Sequence, residues 1–459
     1  MRYLALCCDY DGTLATDGRI LPDTVRALER LLASGRRLVL VTGRELDDLH
    51  QVCPRLDLFE YVVAENGALL YEPASRRETP LAQRPPDSFV ATLRQRGVER
   101  VSAGRVIVAT WEPHETTVLE TIRDLGLELQ VIFNKGAVMV LPAGVTKATG
   151  LRHALKRMGL SAHNAVGIGD AENDHALLAS CECSAAVSNA LPTLKEAADI
   201  VTRADHGAGV VELIEEMLRD DLAAREPGLV RHHLLVGRSR GGESLRISPY
   251  GEKIVVLGPG QDFVVRLLAQ LSQRAYTFCV IDPKGRFTTL GGAVQLGTAE
   301  RAPGVEEIVK LLRSPDDSGV VQLSGLAPQE RPAFFDKLAS RLLELRASRG
   351  LPHWVVIDEA HELLPAERSA GQPALSGVLH TTLQITPNAR HVTAQELRAA
   401  TLVVASGEAA RERIQELCHA SGLIVPSMES SQLAPDEVLA WRPRAPQAHP
   451  FQLQTADAS

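Results

Sequence analysis

No apolar run in this 459-residue chain approaches the roughly 18 consecutive residues that suggest a membrane-spanning helix. The opening stretch, MRYLALCCDYDGT, has a hydrophobic segment too short for a secretory leader and no small-residue cleavage region after it. Seven cysteines are scattered, and neither Cys7-Cys8 nor Cys181-Glu182-Cys183 has zinc-finger or disulfide-framework spacing. Basic excess is missing too. Lys and Arg number 49 against 57 Asp and Glu, a net charge of -8, which speaks against a general nucleic-acid-binding surface. No fixed-period repeat is visible. These absences predict a reduced, cytoplasmic protein with neither a membrane nor a nucleic acid as its partner.

What is present is ordinary for a globular chain, with 45% apolar and 23% charged residues and length for about three domains. From residue 3 onward, short apolar runs alternate with helical segments. YLALCC reads as a buried strand, and LPDTVRALERLLASG as a helix with Pro22 in its first turn and Gly35 as its stop. RRLVLVTG reads as a second strand and YVVAENGALL as a third. Such alternation implies a mostly parallel sheet covered on both faces. After Tyr71 the rhythm changes, and residues 72 to 88 are rich in Pro, Arg and Ser. KATGLRHALKRMGL, NAVGIGD and CSAAVSNALPTLKEAAD then resume the alternation. Residues 75–143 are therefore expected as an insert within a core made of 1–74 and 144–220. The stretch 221–244 reads as a linker. A second alternating unit follows at 245–435, and 436–459 as a tail of little pattern.

The first predicted strand ends in DYDGT, which puts Asp9 and Asp11 where open parallel sheets form ligand crevices. Their i,i+2 spacing places both on one side if extended geometry persists, and Gly12 permits a tight departure. Backbone N–H groups of residues 10 to 13 could cradle an anion. Two carboxylates alone would repel phosphate, so this reading requires a cation, and Mg²⁺ commonly bridges carboxylates to phosphate. Thr42 ends another predicted strand, where its hydroxyl could hold a phosphoryl oxygen. Lys147 precedes the helix after the insert, and Asp170, Asn173 and Asp174 surround a later strand-to-helix turn. Together these residues supply the parts that phosphoryl transfer needs. Plainer readings exist for each: Thr42 as a helix cap, Lys147 as a surface lysine, Asp170 to Asp174 as a polar helix start, Asp17 as a solvated bystander. A calcium loop is excluded, because Thr13 and Leu14 stand at a ligand position and at the turn glycine, and Ile20 replaces the terminal Glu.

DYDGT (9–13), VTGR (41–44), Lys147 and GDAEND (169–174) resemble, in that order, the four motifs of the haloacid-dehalogenase-like phosphatase superfamily. The insert resembles the α/β cap of its Cof-like, sugar-phosphatase branch, as do AENGA (64–68) and SNALPTLKEAAD (188–199). The resemblance covers residues 1 to about 215 and implies a Rossmann-like parallel-sheet core with an inserted α/β cap. It implies Asp9 as the nucleophile of an aspartyl-phosphate and Asp11 as the acid/base. Thr42, Gly43 and Lys147 would bind phosphate. Mg²⁺ would be held by Asp9, Asp170 and the Asp11 backbone carbonyl, with Asn173 and Asp174 in support. Asn189 would sit near the pocket. In the cap, Trp111, His114 and Glu115 form the most conspicuous aromatic-polar stretch, a candidate substrate contact or simply cap surface.

In the second half, HWVVIDEAHELL places Asp358 and Glu359 after an apolar strand, resembling the acidic Walker B element of P-loop ATPases. The order of elements from 245 to 430 resembles a divergent ATPase domain of the HerA/FtsK type. After EKIVVLG, however, GPGQDFVVRLL is shorter than GxxxxGK[ST] and lacks the phosphate lysine and the metal-binding hydroxyl. Asp358 and Glu359 thus read as a degenerate nucleotide site without efficient ATPase activity.

The expectation is an α/β phosphomonoester hydrolase acting with Mg²⁺ on a small phosphorylated metabolite, a sugar phosphate or related alcohol. The C-terminal domain is left open to a protein partner or a second copy of the chain. Two rivals stand beside it: an ATP-driven nucleic-acid translocase and a non-catalytic interaction protein.

Overall fold

The computed structural model describes residues 1–134, 136–288, 290–366, 379–428, 433–434, 436–445 and 451–455. The chain divides into two compact units, Met1–Leu229 and Val230–Ser459.

The first unit is built on an eight-stranded sheet. Its order is Ile200–Val201, Cys183–Ala186, Ala165–Gly169, Ala5–Cys8, Arg37–Val41, Tyr61–Ala64, Leu69–Glu72 and Arg77–Pro80. The first six run parallel and the last two antiparallel. Successive strand side chains alternate between faces. Leu6, Cys8, Leu38 and Leu40 therefore pack with Leu28, Leu31 and Ile214, while Ala5, Cys7, Val39 and Val41 pack with Leu151 and Leu155. Pro22 opens the Pro22–Ala33 helix, and the chain leaves it through Gly35 at φ +88°. Thr146 caps the Lys147–Met158 helix through the Thr149 amide, and Gly159 closes it at φ +65°.

YVVAENGALL is not one strand. It reverses direction, so that Tyr61–Ala64 pairs antiparallel with Leu69–Glu72. The cause is three consecutive left-handed residues, Glu65, Asn66 and Gly67, at φ +53°, +52° and +102°. Glycine and asparagine advertise that conformation in a sequence, and glutamate does not.

The inserted layer pairs Leu129–Asn134, Ala137–Pro142, Val108–Trp111 and Ser102–Ala103 in a four-stranded sheet. The helices Asp87–Gln95 and Glu115–Asp124 supply Phe89, Leu93 and Val118 to a cluster with Val108, Val138 and Val140. Residues 77–80, read from the sequence as insert, instead extend the core sheet as its edge. That strand, Arg-Glu-Thr-Pro, is largely exposed and carries no hydrophobic alternation to announce it.

The second unit holds an eleven-stranded sheet. Seven parallel neighbours run in the order Leu402–Ser406, Lys253–Leu257, Thr382–Thr386, Trp354–Ile357, Phe278–Asp282, Ser318–Gln322 and Ala293–Leu296. Helix Gln261–Gln273 covers one face with Phe263, Val264, Leu267 and Leu271, and helix Arg331–Arg349 the other with Phe335, Leu338 and Leu342. Four antiparallel strands complete the sheet. Leu234–Arg238 lies in the stretch read as a linker and Ser244–Ile247 starts at its last residue, while Glu437–Trp441 and Phe451–Thr455 lie in the stretch read as a tail. Interruption by Gly and Arg, as in VGRSRGG, hides the alternation of the first pair from a sequence reading.

Candidate active site

Three adjacent parallel strands, Ala165–Gly169, Ala5–Cys8 and Arg37–Val41, end on the same edge and deliver Asp170, Asp9 and Thr42. This is the crevice that parallel sheets leave at their carboxyl ends. Lys147 enters from the first turn of its helix. Its Nζ donates to Oδ1 of Asp9 and to Oδ1 of Asp174, at 2.6 Å each. Asp174 is fully buried, and its other oxygen accepts the amides of Asp170 (3.0 Å) and Ala171 (3.1 Å). A Cβ on Gly169 would fall 2.6 Å from the Asp174 carboxyl carbon, so only glycine leaves room for this carboxylate. Thr13 donates its hydroxyl to Asp170 Oδ1 at 3.0 Å.

Carboxylate oxygens of Asp9, Asp170 and Asp174 all lie within 4.8 Å of one another. Burial, and then the nearby Asp174, push the Asp9 carboxyl above the ordinary carboxylate range, while Lys147 pulls it back. Burial also works against the Lys147 charge, but Asp174 and Asp9 outweigh it and hold its pKa above the ordinary lysine value. Two of these buried carboxylates, Asp9 and Asp174, thus share one ammonium, and with Asp170 they make an all-oxygen donor set with excess negative charge. That chemistry suits a hard divalent cation such as Mg²⁺.

The carboxylate of Asp11 stands outside that cluster. Arg44 grips it with two parallel donors, Nε to Oδ2 at 2.6 Å and Nη2 to Oδ1 at 2.7 Å, and also reaches Asp48 at 2.5 Å. A bidentate pair of this kind fixes orientation as well as charge. Thr42 is 1% exposed, and its hydroxyl accepts the Arg44 amide at 3.2 Å. A cavity of about 630 Å³ opens here, lined by Asp9, Asp11 and Gly43 from the eight-stranded layer and by Thr110, Trp111 and Met139 from the inserted layer.

Asp9, Asp11 and Gly43 thus reach the cavity, while Thr42 and Lys147 are nearly fully buried and are not among its lining residues. Asn173 donates to Asn66 Oδ1 at 2.9 Å. Asn189 is not a lining residue either. It donates to the Gly12 carbonyl and accepts the His206 amide, both at 2.8 Å, and so braces the turn after Asp9. Of the cap stretch, Trp111 lines the cavity but His114 and Glu115 do not. Sequence reasoning passed over Arg44, Glu65 and Asn66, although all three lie inside the quoted VTGR and AENGA segments. Burial was the missing signal: Glu65 and Asn66 are 0% and 1% exposed.

In the second unit Asp358 and Glu359 follow the Trp354–Ile357 strand and are buried. Arg286 donates to Asp358 Oδ1 at 2.7 Å and also pairs with Glu359. Lys284 bridges Glu359 and Glu362 at 3.3 and 3.2 Å. Burial raises the Asp358 carboxyl to about 6, with Arg286 opposing the shift. After Leu257 the chain turns through Gly258 at φ +90° into the Gln261–Gln273 helix, which no side chain caps.

The model of the haloacid dehalogenase-like hydrolase family matches residues 6–104 and 99–214. The phosphoglycolate phosphatase of Methanothermobacter thermautotrophicus is 30% identical over 223 residues, 47% of this chain and 98% of that protein. The chain belongs to the haloacid dehalogenase-like hydrolases. As a member of that family with relatives named phosphatases, it is a phosphatase enzyme. Another relative of this hydrolase, phosphoglycolate phosphatase 2 of Saccharolobus solfataricus, is 29% identical over 224 residues, 47% of this chain and 92% of that protein. A solved haloacid dehalogenase-like hydrolase from Bacteroides thetaiotaomicron superposes on 47% of the chain and 99% of its own, at 20% identity and a TM-score of 0.42. Among the described residues of the hydrolase, no helix is long and apolar enough to cross a membrane.

Proposed function

We propose that the first unit hydrolyses the phosphomonoester of a small metabolite through an aspartyl-phosphate on Asp9. The observation that carries this reading is the buried Asp9–Lys147–Asp174 chain of ion pairs, whose Asp9 end reaches a cavity that also presents Asp11. An Asp9 oxygen attacks phosphorus, and the bond to the departing alcohol breaks. Asp11 protonates that alcohol oxygen, then takes a proton from the water that attacks the aspartyl-phosphate. Inorganic phosphate leaves and Asp9 is restored. Because Arg44 engages both Asp11 oxygens, proton transfer requires the fork to yield one of them. Thr42, Gly43 and Lys147 hold the phosphoryl oxygens. Asp9, Asp170 and the Asp11 carbonyl would hold Mg²⁺, with Asn173 and Asp174 behind them, and the ion would supply charge neutralisation for the transferring group.

The cavity takes one wall from Thr110, Trp111 and Met139 of the insert, and water displaced from it by a substrate would strengthen each electrostatic contact inside. Its size suits a sugar phosphate or related phosphorylated alcohol, and phosphoglycolate is a further candidate, since relatives carry that name. The test is a phosphate-release screen with Mg²⁺ over sugar phosphates, phosphoglycolate and nucleotides, with Asp9→Asn protein as the control. Release that Asp9→Asn and chelation both abolish supports the mechanism. Undiminished turnover by Asp9→Asn sinks it.

For the second unit we infer a P-loop-like fold that has lost nucleotide hydrolysis. Its glycine turn lacks lysine and hydroxyl, and Arg286 and Lys284 neutralise the carboxylates that a metal would need. A docking role toward a protein partner or a second copy is the remaining task for it. All seven cysteines are buried thiols, which suits a cytoplasmic setting.

A further inference from the structure

The AENG turn is left without a task by the hydrolytic steps, yet its side chains are committed in an unusual way. Glu65, on the core, is fully buried, and its carboxylate accepts three consecutive amides of the cap: Arg105 at 2.8 Å, Val106 at 2.7 Å and Ile107 at 2.8 Å. A Cβ on Gly104 would fall 2.6 Å from Glu65 Oε1, so the cap loop is shaped to admit this carboxylate. Asn66 makes a second set of links. Its Oδ1 accepts from Asn173, and its Nδ2 lies 2.7 Å from Met139 Sδ, on a cap strand. The backbone of the same two residues donates to Arg44 and Thr42 carbonyls, at 3.0 Å each.

Closing a hairpin does not call for these contacts. A tight turn needs residues that tolerate positive φ, which Asn and Gly do well and Glu does poorly. It has no use for a buried carboxylate spent on a loop 40 residues away. Strained, non-glycine residues of this kind persist where the surroundings over-determine them, typically at functional sites. Here one turn touches the Thr42–Arg44 segment, the acidic loop through Asn173, and two cap elements. Ile107 and Met139, the cap residues at those contacts, both line the cavity.

We propose that Glu65 and Asn66 are positioning residues: they hold the cap wall in register with the Asp9 and Thr42 strand ends. The proposal rests on the hydrolase reading above for its kinetic consequence but not for its structural one. A buried carboxylate accepting three amides is a strong anchor. Glutamine at position 65 would turn an NH₂ toward at least one of the three donors and lose that bond.

The experiment uses full-length protein and two variants that attack the anchor from opposite sides, Glu65→Gln on the core and Gly104→Ala on the cap. Amide exchange across residues 104–107 is expected to quicken roughly 10- to 100-fold in both, while the Ala5–Cys8 strand keeps its protection. With p-nitrophenyl phosphate and Mg²⁺, KM should rise roughly tenfold or more while kcat changes by less than about threefold. Unchanged exchange in both variants overturns the anchor. A fall in kcat with KM unaltered, as from a smaller folded fraction, overturns the positioning role. If the wild-type protein releases no phosphate from any ester, the hydrolase reading fails, and the exchange result still decides the anchor.

Discussion

The ammonium of Lys147 stands 2.6 Å from Oδ1 of Asp9, across 138 residues of chain, and no more than 2% of Lys147 is exposed. A cation so placed serves stability and chemistry at once, because its removal leaves the Asp9 and Asp174 carboxylates without it and away from water.

Lys147→Met should therefore weaken the first unit by about 3–5 kcal/mol, the usual effect of breaking a buried pair. Calorimetry should show its unfolding midpoint lowered by on the order of 10 °C, and phosphate release should vanish. A midpoint within experimental error of wild type would contradict the burial argument.

Gly169→Ala tests the same chain of contacts without touching a charge. Its Cβ would press on the Asp174 carboxyl, so Asp174 must shift away from Lys147 and from the Asp170 amide. Overpacking of this kind is worth about 1–3 kcal/mol, and kcat/KM should drop with it. Chemical denaturation and steady-state kinetics give the two readings, and wild-type values in both would rule the clash out.

The second unit carries a pH signature at Glu437. Its carboxyl is lowered from 4.5 to about 2, first by the Arg240 side chain and then by the Ala434 amide. A depressed carboxylate stabilises the folded state above its unfolded pKa and loses that contribution as pH falls toward its folded one. Stability differences between wild type and Glu437→Gln should thus be full above about pH 4.5 and shrink toward pH 2. Arg240 is largely exposed, so the difference will be small and salt-sensitive. Urea titrations at pH 3 and pH 6 measure it, and an equal gap at both would be the wrong result.

ATP turnover should be absent. Wild-type protein and Asp358→Asn protein are expected to release phosphate from ATP at the same background rate, with or without DNA. DNA-stimulated hydrolysis confined to the wild type would revive the translocase reading. In that event the Arg286–Asp358 pair must open during turnover.

Much of the first unit was legible in order along the chain. Strand YLALCC, the Pro22 helix with Gly35 beyond its end, and the helix beginning at Lys147 follow from apolar periodicity and end signals that are local in sequence. Asp9, Thr42 and Asp170 could be placed at strand ends for the same reason. The reversal at Glu65 was not legible, because a left-handed glutamate has no residue-type signal. The Glu437–Trp441 and Phe451–Thr455 strands were missed as well, since the sheet neighbours that define them lie elsewhere in the chain.

By itself, the amino-acid order determined the alternation of strand and helix, the motif residues and the missing lysine after Leu257, all properties that reside in short windows of chemistry. Tertiary structure decided the partnerships. It set Lys147 between Asp9 and Asp174, Arg44 across Asp11, Arg286 over Asp358, and Glu65 beneath three cap amides. Those depend on strand order and on one buried turn. The free energy of a charge is set by what surrounds it after folding, not by its neighbours along the chain.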